Sequence, residues 1–205
     1  YMRCRVWLNG EILGAASDGF EHPYGYTQFA YSLPSRLLAP AGQSNTLAVR
    51  VNNSGSNSRW YSGSGLFRPV RLLMHQPLHI VPVHAGGVYV TTPDVRLLDA
   101  GGATANATAS FRIAIRNAGD TPSVMSVVRV AVRQSGTAKA SATGSAAVPA
   151  IAPNGSVLVN VTLSLKGVRT WSPDQPALLE AAICLANDPE CTASYVADGD
   201  VWSAP

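Results

Sequence analysis

The sequence predicts an all-β protein, and three observations carry that reading. The helical period is nearly absent, alternating or continuous β-branched runs recur, and Gly, Pro and Asn turn signals separate them at short intervals. Residues 3–8 form the first run, meet Asn9-Gly10, and give way to a second run at 11–14. Asn-Gly between apolar runs signals a hairpin, because a type I′ turn needs φ > 0 at both central residues. Further strands are expected at 46–51, 69–74, 87–91, 109–116, 124–133, 156–165 and 178–185. In Phe111-Arg112-Ile113-Ala114-Ile115 the large apolar side chains recur at every second position, which sets one face in a core and the other toward water. Residues 160–165 repeat that pattern with Thr162 and Ser164 on the outer face. Residues 138–144 are small and read as an exposed loop between strands. No repeat of the solenoid kind is visible.

Of the 205 residues, 46% are hydrophobic and 13% are charged, so a substantial core is available. The net charge of +3 arises from 15 basic and 12 acidic residues spread along the chain. Nucleic-acid binding draws on a clustered basic stripe, which the sequence does not display, and no apolar run approaches the roughly 20 residues of a spanning helix. Neither nucleic acid nor a membrane is therefore expected as a partner. The opening Tyr1-Met2-Arg3-Cys4-Arg5 lacks the apolar region of a signal peptide and is expected to lie inside a longer polypeptide. The best boundary falls near Gln76-Pro77, giving domains at 1–77 and 78–205. The second holds about seven strand candidates, the content of an immunoglobulin-like sandwich. The first has fewer strands and long polar loops, too little to close a sandwich alone.

Two segments carry more specific information. The first comprises Val6-Trp7-Leu8-Asn9-Gly10, His22-Pro23-Tyr24-Gly25-Tyr26-Thr27 and Asn45-Thr46-Leu47-Ala48-Val49-Arg50-Val51-Asn52-Asn53. The second is Asn57-Ser58-Arg59-Trp60-Tyr61-Ser62-Gly63-Ser64-Gly65-Leu66-Phe67-Arg68-Pro69-Val70. In this order they resemble the amino-terminal sugar-binding domain of glycoside hydrolase family 2, the β-galactosidase and β-glucuronidase group. Residues 87–93 and Trp171-Ser172-Pro173-Asp174-Gln175-Pro176 look like the start and the late proline-rich turn of that family's immunoglobulin-like second domain. The implied architecture is a partial jelly-roll-like sandwich followed by an immunoglobulin-like β-sandwich. Departures are an insertion at 15–21, and Leu178-Leu179 where the family places an aromatic after the Trp-Ser-Pro turn. The resemblance also implies that the catalytic (β/α)8 barrel, with both catalytic glutamates, lies outside this stretch.

The site expectations follow. A retaining glycosidase needs two carboxyl groups roughly 5 Å apart, one of them raised in pKa. Glu11, Glu21, Glu180 and Glu190 give no such placement, so no catalytic residue is expected here. Arg59, Trp60 and Tyr61 combine a guanidinium with aromatic faces suited to a sugar, although composition alone equally describes a flexible loop with a tucked-in Trp. The resemblance sets this loop at the rim of the barrel's substrate pocket, where it shapes substrate access or, through Trp60, packs the domain interface. Tyr24 and Tyr26 offer either further stacking faces for sugar or a cap on the sandwich end. Arg68 is expected in a structural ion pair. His75, His79 and His84 have a spacing that zinc sites use, but Pro77 and Pro82 break any aligning helix, so neither metal nor cofactor is expected. The Gly-Ser run at 62–65 lacks the context of a nucleophile elbow or a P-loop. Cys184 and Cys191 bracket a turn-rich segment, where they either pair as a disulfide across a hairpin or stay reduced. With the sequons at Asn52, Asn106, Asn154 and Asn160 they favour an extracytoplasmic location. The role implied is a non-catalytic portion of a β-galactosidase-like enzyme, with the barrel and a β-glycoside as partners. The alternative is a stand-alone carbohydrate-binding or adhesion protein of two sandwiches.

Overall fold

The computed structural model describes residues 2–55, 63–82, 85–185 and, as backbone, 202–204. The chain divides into two compact units, Tyr1–Leu73 and Met74–Pro205. Both are built from antiparallel strands.

In the first unit β1 (Cys4–Leu8) lies between β2 (Glu11–Ile12) and β3 (Leu47–Val51). The β1–β2 connection is the expected two-residue turn. Leu8 faces Glu11 in the register, and Asn9 and Gly10 take φ of 49° and 90°. Asn9 then does a second job through its side chain. Its Nδ2 donates to the Leu37 carbonyl (2.7 Å) and to Asn45 Oδ1 (2.8 Å), while its Oδ1 accepts from the Thr46 amide (2.8 Å). One asparagine thus ties the hairpin to the distant segment that leads into β3. Alternation along β1 buries Cys4, Val6 and Leu8 and turns Arg5 and Trp7 to the other face. The core is small: Val6, Leu8 and Leu13, with Tyr31, Leu33, Leu37 and Val49 packed against them.

The second unit is a sandwich. One layer centres on β6 (Thr104–Asn117), which pairs along one edge with β9 (Ser156–Arg169). Its other edge pairs with β4 (Leu78–Ile80) and, further along, β5 (Val88–Leu97). The other layer runs β13 (Trp202–Ala204), β12 (Leu179–Leu185), β7 (Ser126–Gln134), β8 (Ala140–Val148). Phe111, Ile113 and Ile115 of β6 and Val159, Val161, Leu163 and Leu165 of β9 share a core with Val128, Val130 and Val132 of β7, Val148 of β8 and Ile183 of β12. Ile113, Ile115 and Val128 are wholly inaccessible, and each such side chain contributes about 1.5–3 kcal/mol of burial. Asn117 is the buried polar residue of this unit among the described residues. It is satisfied: Nδ2 donates to the Thr121 (2.8 Å) and Ile151 (3.0 Å) carbonyls, and Oδ1 accepts from the Gly119 amide (3.0 Å). The proline-rich turn at 171–176 is a tight hairpin, with β10 (Trp171–Ser172) paired to β11 (Gln175–Pro176).

Two expectations are corrected. Residues 140–144 belong to strand β8 and not to a loop, paired to β7 over most of their length. Their small side chains have a packing reason, since a Cβ at Gly144 would stand 2.4 Å from Leu163 Cδ2. Glycine lets this strand settle onto β9 across the sandwich. The strand expected at 69–74 does not form, and Val70, Leu72 and Met74 are exposed at 66%, 69% and 85%. Alternating apolar residues read as a strand only where a neighbouring strand takes up their backbone hydrogen bonds.

Candidate functional site

The sequence-predicted residues fall into three groups. Arg59, Trp60 and Tyr61 lie outside the described residues, as do Cys191 and His84. Cys184 is described and buried, whereas Cys4 is a buried free thiol in β1. Tyr24 and Tyr26 are described and exposed at 68% and 67%, so their rings are presented to solvent.

Those two tyrosines lie in an aromatic surface of the first unit. The backbone of His22 exchanges hydrogen bonds with Cys4 (2.9 and 2.8 Å), which anchors the segment to β1. From that anchor the His22 ring stacks on Phe29 (4.3 Å between centroids) and meets Tyr24 edge-on (6.4 Å), while Phe29 meets Tyr31 edge-on (5.6 Å). The His22 Nε2 and the Thr27 hydroxyl are 2.8 Å apart, closing the turn that carries both tyrosines. Tyr26 makes an edge contact with Phe67 (6.4 Å). Arg68, expected in an ion pair, sets its guanidinium over the Phe67 ring instead, 5.3 Å from the centroid. A groove of about 490 Å³ follows this surface, lined among others by Phe20, His22, Phe29 and Tyr31.

Next to the groove is a feature that sequence reading missed. A pocket of about 210 Å³ is lined by Arg3, Arg5, Glu21, Arg50 and Asn52, and Glu21 borders the groove as well. Arg5 and Arg50 are far apart in sequence but face each other in the β1–β3 register. The signal was present in the alternation, since Arg5 falls between buried Cys4 and Val6, and Arg50 between Val49 and Val51. Only the strand pairing reveals that the two share a face.

The carboxylates show no catalytic arrangement among the described residues. Glu180 accepts from the Ser135 hydroxyl (2.7 Å) and from Arg133 Nε (2.8 Å), and these hold its carboxyl below its usual range. Asp99 accepts from the Thr104 hydroxyl and from the Ala103 and Thr104 amides, which lowers its pKa likewise. Both shifts run opposite to what a general acid needs. Glu21 lies between Arg3 (3.6 Å) and Arg5 (3.5 Å), and Asp94 beside Arg96 (3.4 Å). His75 stacks on His79 (5.0 Å), and no group of metal-ligating side chains occurs among the described residues.

No protein-family model matches the chain. The β-galactosidase BoGH2A of Bacteroides ovatus is 44% identical over 96 residues, which cover 46% of this chain and 10% of that protein. The crystal structure of a glycosyl hydrolase family 2 member from Bacteroides cellulosilyticus superposes with a TM-score of 0.72 at 25% identity, over 92% of this chain and 23% of that one. A Bacteroides uniformis β-glucuronidase shares the fold, with a TM-score of 0.68 at 19% identity over 93% of this chain and 22% of that one. The chain thus spans about a tenth of the length of the curated relative, and under a quarter of each of these structures. Sequence identity over about half of the chain and a common fold over nearly all of it make this all-β chain similar to the non-catalytic β-sandwich domains of the β-galactosidase and β-glucuronidase group of glycoside hydrolase family 2.

Proposed function

We propose that the chain is a non-catalytic part of a β-galactosidase-like glycoside hydrolase. The first unit supplies the later part of a sugar-binding jelly roll, the second an immunoglobulin-like support, and together they hold a catalytic barrel and wall its substrate pocket. The observation that carries this reading is the similarity to glycoside hydrolase family 2 proteins, which spans 92% of this chain but only 23% of the matched structure. A terminal β-glycoside is the substrate of the complete enzyme, cleaved with retention by two carboxyl groups of the barrel. Arg59, Trp60 and Tyr61 contribute to the pocket rim by stacking and hydrogen bonding, and do not take part in bond cleavage.

Turnover of aryl β-galactosides and aryl β-glucuronides tests this. The 205-residue chain is expected to hydrolyse neither, and the longer polypeptide that carries it to hydrolyse one of them with retained configuration. Turnover by the chain alone, with contaminating enzyme excluded, overturns the reading. In the longer polypeptide, Trp60→Ala is expected to raise KM more than it lowers kcat, since a rim residue binds the ground state and the transition state alike. A Cys184–Cys191 disulfide belongs to the same reading, and peptide mapping under non-reducing conditions should recover the two residues linked.

A further inference from the structure

Arg3, Arg5 and Arg50 form a donor-rich pocket that the proposed role in supporting a barrel does not use. From this geometry we infer an oxyanion-binding site on the outer face of β1 and β3, one that takes the carboxylate or sulfate of an acidic carbohydrate.

Four observations converge. Arg5 and Arg50 are direct cross-strand partners, an arrangement of like charges that destabilises a sheet unless something lies between them. The carboxylate at hand is Glu21, and its oxygens stand 3.6 Å from Arg3 Nε and 3.5 Å from Arg5 Nε. These separations give ion pairs but not hydrogen bonds. Arg5 Nε is accordingly a buried donor atom with no hydrogen-bond partner, on a side chain that is 40% exposed overall and so reachable by a ligand. Asn52 completes the set. Its Oδ1 is occupied by the Ser54 amide (3.0 Å) and hydroxyl (2.7 Å), which leaves its Nδ2 as a further donor at the pocket wall.

The lining therefore presents three guanidinium groups and an amide against one carboxylate, within about 210 Å³. A planar carboxylate or a tetrahedral sulfate matches guanidinium forks in two-point geometry. The neighbouring groove makes the rest of the ligand a sugar ring. It shares Glu21 with the pocket, and its wall is His22, Phe29 and Tyr31. This site does not depend on a barrel, so its failure and the failure of the proposed function are separable.

The experiment titrates the 205-residue chain with D-glucuronate, D-glucose 6-sulfate and D-glucose at fixed low ionic strength, following the arginine Nε–H resonances by NMR. Saturable shifts at Arg5 with one or both anions, and none with glucose, are expected, and the tighter anion identifies the source. Arg50→Gln should weaken binding roughly tenfold or more, the scale of a charge-assisted hydrogen bond, while Arg36→Gln leaves it unchanged. Arg50→Gln also removes a like-charge contact, so its Tm should not fall below that of the parent. Should it misfold, Arg3→Gln, at a half-exposed arginine paired with the same Glu21, makes the same test. Glu21→Gln should tighten binding. No saturation, equal response to glucose, or full affinity in Arg50→Gln overturns the proposal.

Discussion

The two units solve the same β problem with unequal means. Among the described residues of the second, long paired strands, their register shifted at 91–94, 105–107 and 132–133, enclose a core of seventeen buried side chains. In the first, three short strands enclose three, and hydrogen bonds from side chains do much of the positioning. A sheet with a deep core fixes its own loops. A sheet without one relies on individual side chains to place its connections, and it leaves aromatic and cationic groups on the surface. The aromatic groove and the arginine-lined pocket both lie in the thinner unit.

That contrast is open to direct attack. The largest effect is expected from Ile113→Ala in the second unit, at about 2–5 kcal/mol, because a fully enclosed site has little freedom to collapse around the void. Leu8→Ala in the first unit should fall at the low end of that range, since its neighbours include half-exposed groups that relax into the space. Denaturant unfolding with hydrogen exchange resolved by unit reads both. Equal losses would erase the distinction.

The asparagines come next. Asn117→Ala strands the Thr121 and Ile151 carbonyls in a buried setting and should cost about 1–3 kcal/mol. Asn9→Ala combines a non-glycine residue at φ of 49° with loss of the bridge to Leu37 and Thr46, and about 1–2 kcal/mol is expected. Asn9→Gly keeps the turn and loses only the bridge, so thermal melts of the two variants separate backbone from side-chain contributions.

The smallest effect concerns pH. Glu180 has a folded-state pKa below its ordinary 4.5, held there first by the Ser135 hydroxyl and then by Arg133. Its stabilising contribution is therefore full above that ordinary value and fades as pH falls through the lower, folded one. The Tm gap between the parent and Glu180→Gln should be open at neutral pH and shrink as the pH falls below the ordinary 4.5 and through the lower, folded value. A gap that widened in acid would refute the sign.

Much of this was legible in the residues. Period-two patterning announced β6 and β9, and Asn9-Gly10 announced its turn, since each signal is local. Strand β8 was hidden because a run of Ala, Ser, Thr and Gly carries no hydrophobic period. Its reason for being small lies across the sandwich at Leu163. The exposed Tyr24 and Tyr26 could be named from the sequence, whereas the Arg3, Arg5 and Arg50 pocket could not. Pairing between strands assembles it, and composition by itself shows only scattered charge.

Gly144 sets a rule for how this chain is able to change. Backbone and the Leu163 methyl already meet there, so positions 144 and 163 hold a fixed joint volume. An alanine or serine at the first would push the Leu163 methyl aside and press on Val161 Cγ1 at 3.3 Å, and a smaller residue at 163 would relieve the closer of the two contacts. The two sites should therefore drift as a couple, each substitution conditional on the other.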